Sequence, residues 1–168
     1  LALNVGGGLS VPAGDVETSG YVRASLEVEL QQSMGAGRLV ARSNLAGVSA
    51  GSRVPVQLGV AAGGPLSAPG YRFHSIRGTG MWLQRLEWQR RIPFVPMKLG
   101  RFGIVPSSVT VAPYVHEALV RDEAGGWLSA PSVGLGFIGL FDLLRVDVAK
   151  PLRGGGWLFS VEIGRAHV

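Results

Sequence analysis

Apolar and polar residues alternate with a period of two along most of the chain. From Tyr21 to Gln31, the even positions Val22, Ala24, Leu26, Val28 and Leu30 are apolar, and the odd positions Arg23, Ser25, Glu27, Glu29 and Gln31 are polar. Successive side chains of a strand point to opposite faces, so this stretch predicts a strand with one apolar and one polar face. The alternation returns with Leu39, Ala41 and Leu45 against Arg38, Arg42 and Asn44, and with Val54, Val56, Leu58 and Val60 against Gln57, Gly59 and Ala61. Further on, Trp82, Leu86 and Trp88 alternate with Arg85, Glu87, Gln89 and Arg91, and Leu144, Val146 and Val148 with Arg145, Asp147 and Ala149. Nine strand-like runs follow, near residues 2–11, 20–32, 37–46, 54–62, 81–92, 108–118, 131–140, 142–151 and 156–163. Gly-rich or Pro-rich connections separate them, the longest with a recognisable motif running from Gly63 to Gly80.

Composition narrows the class. The chain has 168 residues, 26 of them Gly and 10 Pro, with no Cys and a formal charge of +5. Its mean hydropathy is positive and only 16 % of residues are charged, which excludes a disordered tail. The two longest uncharged stretches, Val54–Tyr71 and Ala124–Phe141, are interrupted by Pro55, Pro65, Pro69 and Gly63 in the first and by Pro131, Gly134 and Gly136 in the second. Neither composition supports a membrane-spanning helix. Without Cys there are no disulfides and no thiolate metal sites.

A soluble β-sandwich also alternates, so the choice depends on what each face meets. Here the polar face is rich in Gly, Ser and opposite charges, and aromatic residues gather near strand ends: Tyr21, Trp82, Trp88, Trp127, Trp157 and Phe159. A lipid-facing band, interfacial girdles and a polar lumen produce that pattern, so the expected fold is all-β, an antiparallel transmembrane β-barrel, with the sandwich as the alternative. Single-chain bacterial barrels generally have even strand numbers. The odd number of runs, and a Leu1 at the edge of one of them, lead to the expectation that the chain is a piece of a longer protein.

Specific motifs lie in the second half. Ser75-Ile76-Arg77-Gly78 precedes Leu86-Glu87-Trp88-Gln89-Arg90-Arg91-Ile92-Pro93. Ser132–Gly136, Leu144–Leu152 and Phe159–Val161 then close the chain. In this order they resemble the C-terminal barrel of the BamA/TamA outer-membrane assembly and two-partner secretion superfamily, the bacterial surface antigen family. The resemblance implies a sixteen-stranded barrel, of which about nine C-terminal strands are present here, over residues 1–161. It makes Ser75–Gly78 similar to the family's R-G-[FY] element on a loop folded back into the lumen. Five runs follow that element, the number the family would place there. Thr79 stands where the family has Phe or Tyr, and Val109–Ala118 lacks the family's Phe-x-Asp-x-Gly.

With no Asp in that strand, Glu87 is the candidate partner of Arg77, because it faces the polar side by parity and a guanidinium in a confined lumen calls for a carboxylate. The closing strand, with Trp157, Phe159 and Val161, would form one side of a first-to-last strand seam. By family, the protein would insert or export other outer-membrane or secreted polypeptides, without catalysis or cofactor. Its surroundings would be the lipid of a Gram-negative-type outer membrane, crossed many times, and its partners client β-barrels and accessory assembly lipoproteins, with no nucleic acid. A passive pore or a barrel anchor for an attached domain is the alternative. Residues 162–168 read like a translated sequencing-adaptor oligonucleotide and are expected to be a non-native tail.

Other motifs carry weaker implications. Gly47-Val48-Ser49-Ala50-Gly51 matches a nucleophile elbow, but a strand, not a helix, is expected after it. Gly134–Gly139 matches G-x-G-x-x-G without the helix that phosphate binding requires; small residues on the lumen side explain it better. His74 and His116 lie far apart, and Glu117 points away from His116, which speaks against a metal site. Glu27 and Glu29 have Arg23, Arg38 and Arg42 on the same side to neutralise them. The basic residues Arg85, Arg90, Arg91, Lys98 and Arg101 are split between faces and a connection, as a solvated or interfacial turn would be.

Overall fold

A computed structural model describes residues 3–6, 21–50, 59–94, 96–98, 100–105, 108–140 and 142–164. The chain is all-β, and no helix among these residues is long and apolar enough to cross a membrane. One antiparallel sheet dominates. It contains β1 (Leu3–Gly6), β2 (Tyr21–Met34), β3 (Gly37–Ala50), β6 (Gly80–Pro93), β9 (Ser108–Arg121), β10 (Trp127–Gly139), β11 (Leu144–Pro151) and β12 (Leu158–Ile163), adjacent in that order. Two small hairpins stand outside it: β4 (Val60–Ala62) with β5 (Ile76–Gly78), and β7 (Met97–Lys98) with β8 (Ile104–Val105). The sheet is open, with β1 and β12 as its edges.

Eight strands therefore form the sheet where nine runs were expected. The run at 54–62 contributes only β4, which pairs with β5 and leaves β3 beside β6; residues 51–58 lie outside the described residues. Several strands are longer than their runs. β3 continues through Gly47–Ala50, so the nucleophile-like sequence is strand as far as it is described, and Gly134–Gly139 lies wholly within β10. β10 begins at Trp127 and not at Pro131, because a proline removes one ladder donor without ending the pairing, and register holds to Trp127↔Arg121. β12 runs to Ile163, opposite Leu144, so the strand passes the expected boundary at residue 161.

Register shows how the faces are used. Val40, Glu87, Tyr114, Gly134 and Ala149 are successive partners from β3 to β11, and all project to one side. That side is the buried one: Glu87 is 0 % exposed, Asp147 5 % and Arg145 7 %. On the other side Leu26, Leu45, Trp82, Leu86, Trp88, Val115 and Phe137 are exposed. The sheet covers its polar face and displays its apolar one. No second sheet lies against the apolar face among the described residues.

The segment between β3 and β6 turns back over the polar face. Ala62 and Ala68 pack on Ala118, Val120 and Ala130 of the wall, with Tyr71, Ile76, Met81 and Leu83 around them. Small side chains let the two backbones approach. At Gly78 the approach is closest, since a Cβ there would overlap the Arg121 carbonyl. Backbone bonds complete the join, from Thr79 N–H to Arg121 O at 2.8 Å and from Val48 N–H to Thr79 O at 2.8 Å.

Gly78→Val is expected to lift this segment from the wall, read as faster tryptic cleavage at Arg72 and Arg77 with the protection of β9 and β10 unchanged. A pH response is also expected. The Tyr71 hydroxyl donates to Pro131 O at 3.1 Å, and burial raises the phenol above its ordinary value of 10. A group whose pKa is raised by folding contributes fully below its unfolded value, and the contribution is lost as pH rises through the folded one. Cleavage of the segment by an alkali-tolerant protease is therefore expected to rise above about pH 10, and Tyr71→Phe to remove that dependence.

Candidate functional site

The polar face converges on one cluster. In β6, Arg85, Glu87 and Gln89 sit two residues apart and share a side, as do Arg145 and Asp147 in β11. Two strands lie between these groups, a separation of roughly 14 Å across a flat sheet. The side chains nevertheless meet. Arg145 Nη2 donates to Glu87 Oε2 at 2.8 Å and Nη1 to Oε1 at 3.2 Å, a forked pair. The same guanidinium donates to Asp147, from Nε to Oδ2 at 2.6 Å and from Nη2 to Oδ1 at 2.9 Å. Arg85 joins from the other side, with Nη2 2.9 Å from Glu87 Oε2 and 3.2 Å from Asp147 Oδ1. Two cations and two carboxylates thus neutralise one another out of solvent.

Glycines make the crossing possible. Gly134 and Gly136 in β10 lie between the two groups, and both face the polar side. A Cβ on Gly136 would stand 2.7 Å from Arg145 Nη2 and 3.0 Å from Asp147 Oδ1. A Cβ on Gly134 would overlap the Tyr114 ring, which lies over that glycine and carries Arg85 Cζ 3.6 Å from its centroid. The chemistry is therefore stacked: bare backbone, then aromatic ring, then guanidinium, whose attraction to the ring adds to its ion pairs.

The cluster extends sideways. Gln89 donates from Nε2 to Glu87 Oε1 and accepts from Arg38 Nε at 2.7 Å. Arg38 Nη1 reaches Gln31 Oε1 at 3.3 Å, and Gln31 Nε2 donates to Glu29 Oε1 at 2.6 Å. Arg42 Nε closes the series on Glu29 Oε2 at 2.6 Å. A continuous polar seam thus runs from β2 to β11. This arrangement braces a surface. Among the described residues no group of three or more His, Cys, Asp or Glu is placed to hold a metal ion.

The expected Arg77–Glu87 pair does not form. Glu87 is occupied by Arg145, Arg85 and Gln89, whereas Arg77 is exposed and its Nε donates to His74 O at 3.4 Å within its own loop. Parity placed Glu87 on the correct face, but Arg145 occupies it first, from a strand 58 residues away. The rest of the motif divides by role. Ile76 packs under the loop, Gly78 meets the wall, and Ser75 is exposed. In β12, Phe159 and Val161 point outward and are exposed, and Trp157, just before the strand, lies 5.4 Å from Lys150 Nζ. β12 is one edge of the sheet, and among the described residues no strand pairs with its outer side. Glu29 is neutralised as expected, by Arg42.

Arg145, Asp147 and Tyr114 were not singled out as site residues in the sequence. The available signal was two polar-face glycines one step apart beside a strand reading Arg-x-Asp. Comparison with protein-family models and with curated proteins yields no match to this chain.

Removing one partner of a buried ion pair costs about 3–5 kcal/mol. Glu87→Ala is expected to lower the unfolding midpoint in urea by a corresponding amount while leaving protease sensitivity of residues 63–75 unchanged, because Glu87 braces the wall and not the loop. Gly136→Leu should produce a similar loss with all four charges still present, by obstructing the crossing.

Proposed function

We propose that this chain forms part of the wall of an outer-membrane β-barrel of the assembly and secretion type, acting to insert or export other polypeptides. The observation that carries the reading is the inversion of the two faces. Soluble proteins rarely expose a contiguous apolar patch beyond a few hundred Å². This sheet presents Leu, Val and Trp outward across successive strands and encloses its carboxylates and guanidinia. Hydrocarbon outside and a polar lumen inside call for that distribution. About 9–11 tilted residues cross a bilayer; β2, β3, β6 and β9, with 14 residues each, and β10, with 13, are long enough, whereas β11 has 8 and β12 has 6. Outward Trp82 and Trp127 lie near strand ends, where interfacial aromatics belong.

Support for the assembly and secretion type, over a barrel in general, comes from the loop. The segment bearing Ile76-Arg77-Gly78 folds onto the polar face and is followed by five strands of the main sheet, in the order of the family it resembles. One observation favours the passive pore or anchor: Arg77 binds its own loop and not the wall.

The two readings separate by experiment. The full-length protein, reconstituted in liposomes of outer-membrane lipids, is expected to accelerate the folding of a denatured barrel client, followed by heat-resistant gel migration. A steady ion conductance with no acceleration would replace assembly by a pore. Recovery in the soluble fraction without detergent would remove the membrane reading altogether.

A further inference from the structure

Residues 63–74 form a compact body held by its own bonds. Gly64 N–H donates to Tyr71 O at 3.0 Å, Ala68 N–H to Gly64 O at 3.1 Å, and Tyr71 N–H to Ala68 O at 3.1 Å. The Ser67 hydroxyl bridges the two backbone groups of Gly63, at 3.0 and 2.9 Å. So constrained, the segment moves as a unit.

This body touches the terminal hairpin, β11–β12, at several points. Gly70 lies so close to Pro151, the last residue of β11, that a Cβ there would overlap the proline ring. Gly155, in the turn between β11 and β12, approaches from the other side: a Cβ on it would stand 2.7 Å from Gly70 O and 2.7 Å from Pro151 Cγ. The third contact is shared. Pro131 O accepts the Tyr71 hydroxyl and also the Leu152 N–H at 2.8 Å, just beyond the end of β10–β11 pairing. Gly70 is clasped between the end of one strand and the turn leading to the next.

β12 is an edge strand whose partner in the sheet is β11. We infer that the folded-back loop is a latch on the terminal hairpin. While the loop is docked, the β11–β12 turn is held against the wall; when the hairpin moves, the loop loses its seat. The coupling rests on the contacts at Gly70, Gly155 and Pro131 O and stands or falls separately from the assembly and secretion reading. Within that reading, it makes the availability of the β12 edge to an incoming strand depend on the loop. Coupling between two equilibria is reciprocal, so each release promotes the other by the same factor.

The test uses the full-length protein in detergent micelles with two readouts, tryptic cleavage at Arg72 and hydrogen exchange at Phe159–Val161. Gly155→Val lies outside the loop and is expected to speed cleavage about tenfold; Gly70→Val lies outside the hairpin and is expected to speed exchange about tenfold. Gly154→Val, in the same turn, carries the same backbone strain (φ +62°, against +79° at Gly155) with no atom near its Cβ position, and is expected to leave cleavage at Arg72 unchanged. Protection in β9 and β10 reports that the wall is intact. If the wall is intact and either arm is silent, the latch is refuted. Tyr71→Phe, which removes one hydroxyl and no volume, serves should a glycine variant fail to fold. It is expected to raise exchange at Phe159–Val161, and no change there would equally overturn the proposal.

Discussion

The polar face depends on the ion pair between Arg145 and Glu87. A carboxylate with no solvent exposure requires compensation. Here it comes from two guanidinia and an amide, one guanidinium reaching across two intervening strands. That reach constrains everything between. β10 must present glycine at Gly134 and Gly136, Tyr114 must lie flat, and Arg85 must sit above the ring to meet both carboxylates. Two guanidinia and two carboxylates thus tie β6 to β11 by contacts that carry no net charge.

A second layer depends on closeness of backbone. The folded-back loop meets the wall through alanines and through Gly78, and meets the terminal hairpin through Gly70 and Gly155. Large side chains would separate these surfaces. The high glycine content therefore has two uses, a floor for crossing side chains and a seat for a loop; the first is a matter of clearance, and the second also needs the positive φ that Gly70 and Gly155 hold.

Much of the wall was legible in the sequence. A period of two in Val22–Gln31 or Leu144–Ala149 places side chains on faces with no tertiary knowledge, and seven of the runs became strands close to their expected positions. The run at 54–62 misled because its alternation is as regular as any other, while pairing partners are not encoded in periodicity; its described end pairs locally with Ile76–Gly78. The site was half legible. Parity put Glu87 on the right face, but its partner is chosen by register summed over three strand pairs, which no local pattern contains. The two glycines of Gly134-Leu135-Gly136 were read as small residues on the polar side, which they are, without the ring and guanidinium that need the space.

Leu86 and Glu87 are neighbours in the chain yet belong to different problems. The first is 44 % exposed on the apolar side and the second 0 % exposed on the polar side. A change at Leu86 alters the surface that the wall offers its surroundings and leaves the charged cluster alone. A change at Glu87 alters the cluster and leaves the outer surface as it was. Along such a strand, alternate residues thus answer to separate physical demands, one set by the surrounding medium and the other by the neutralisation of charge.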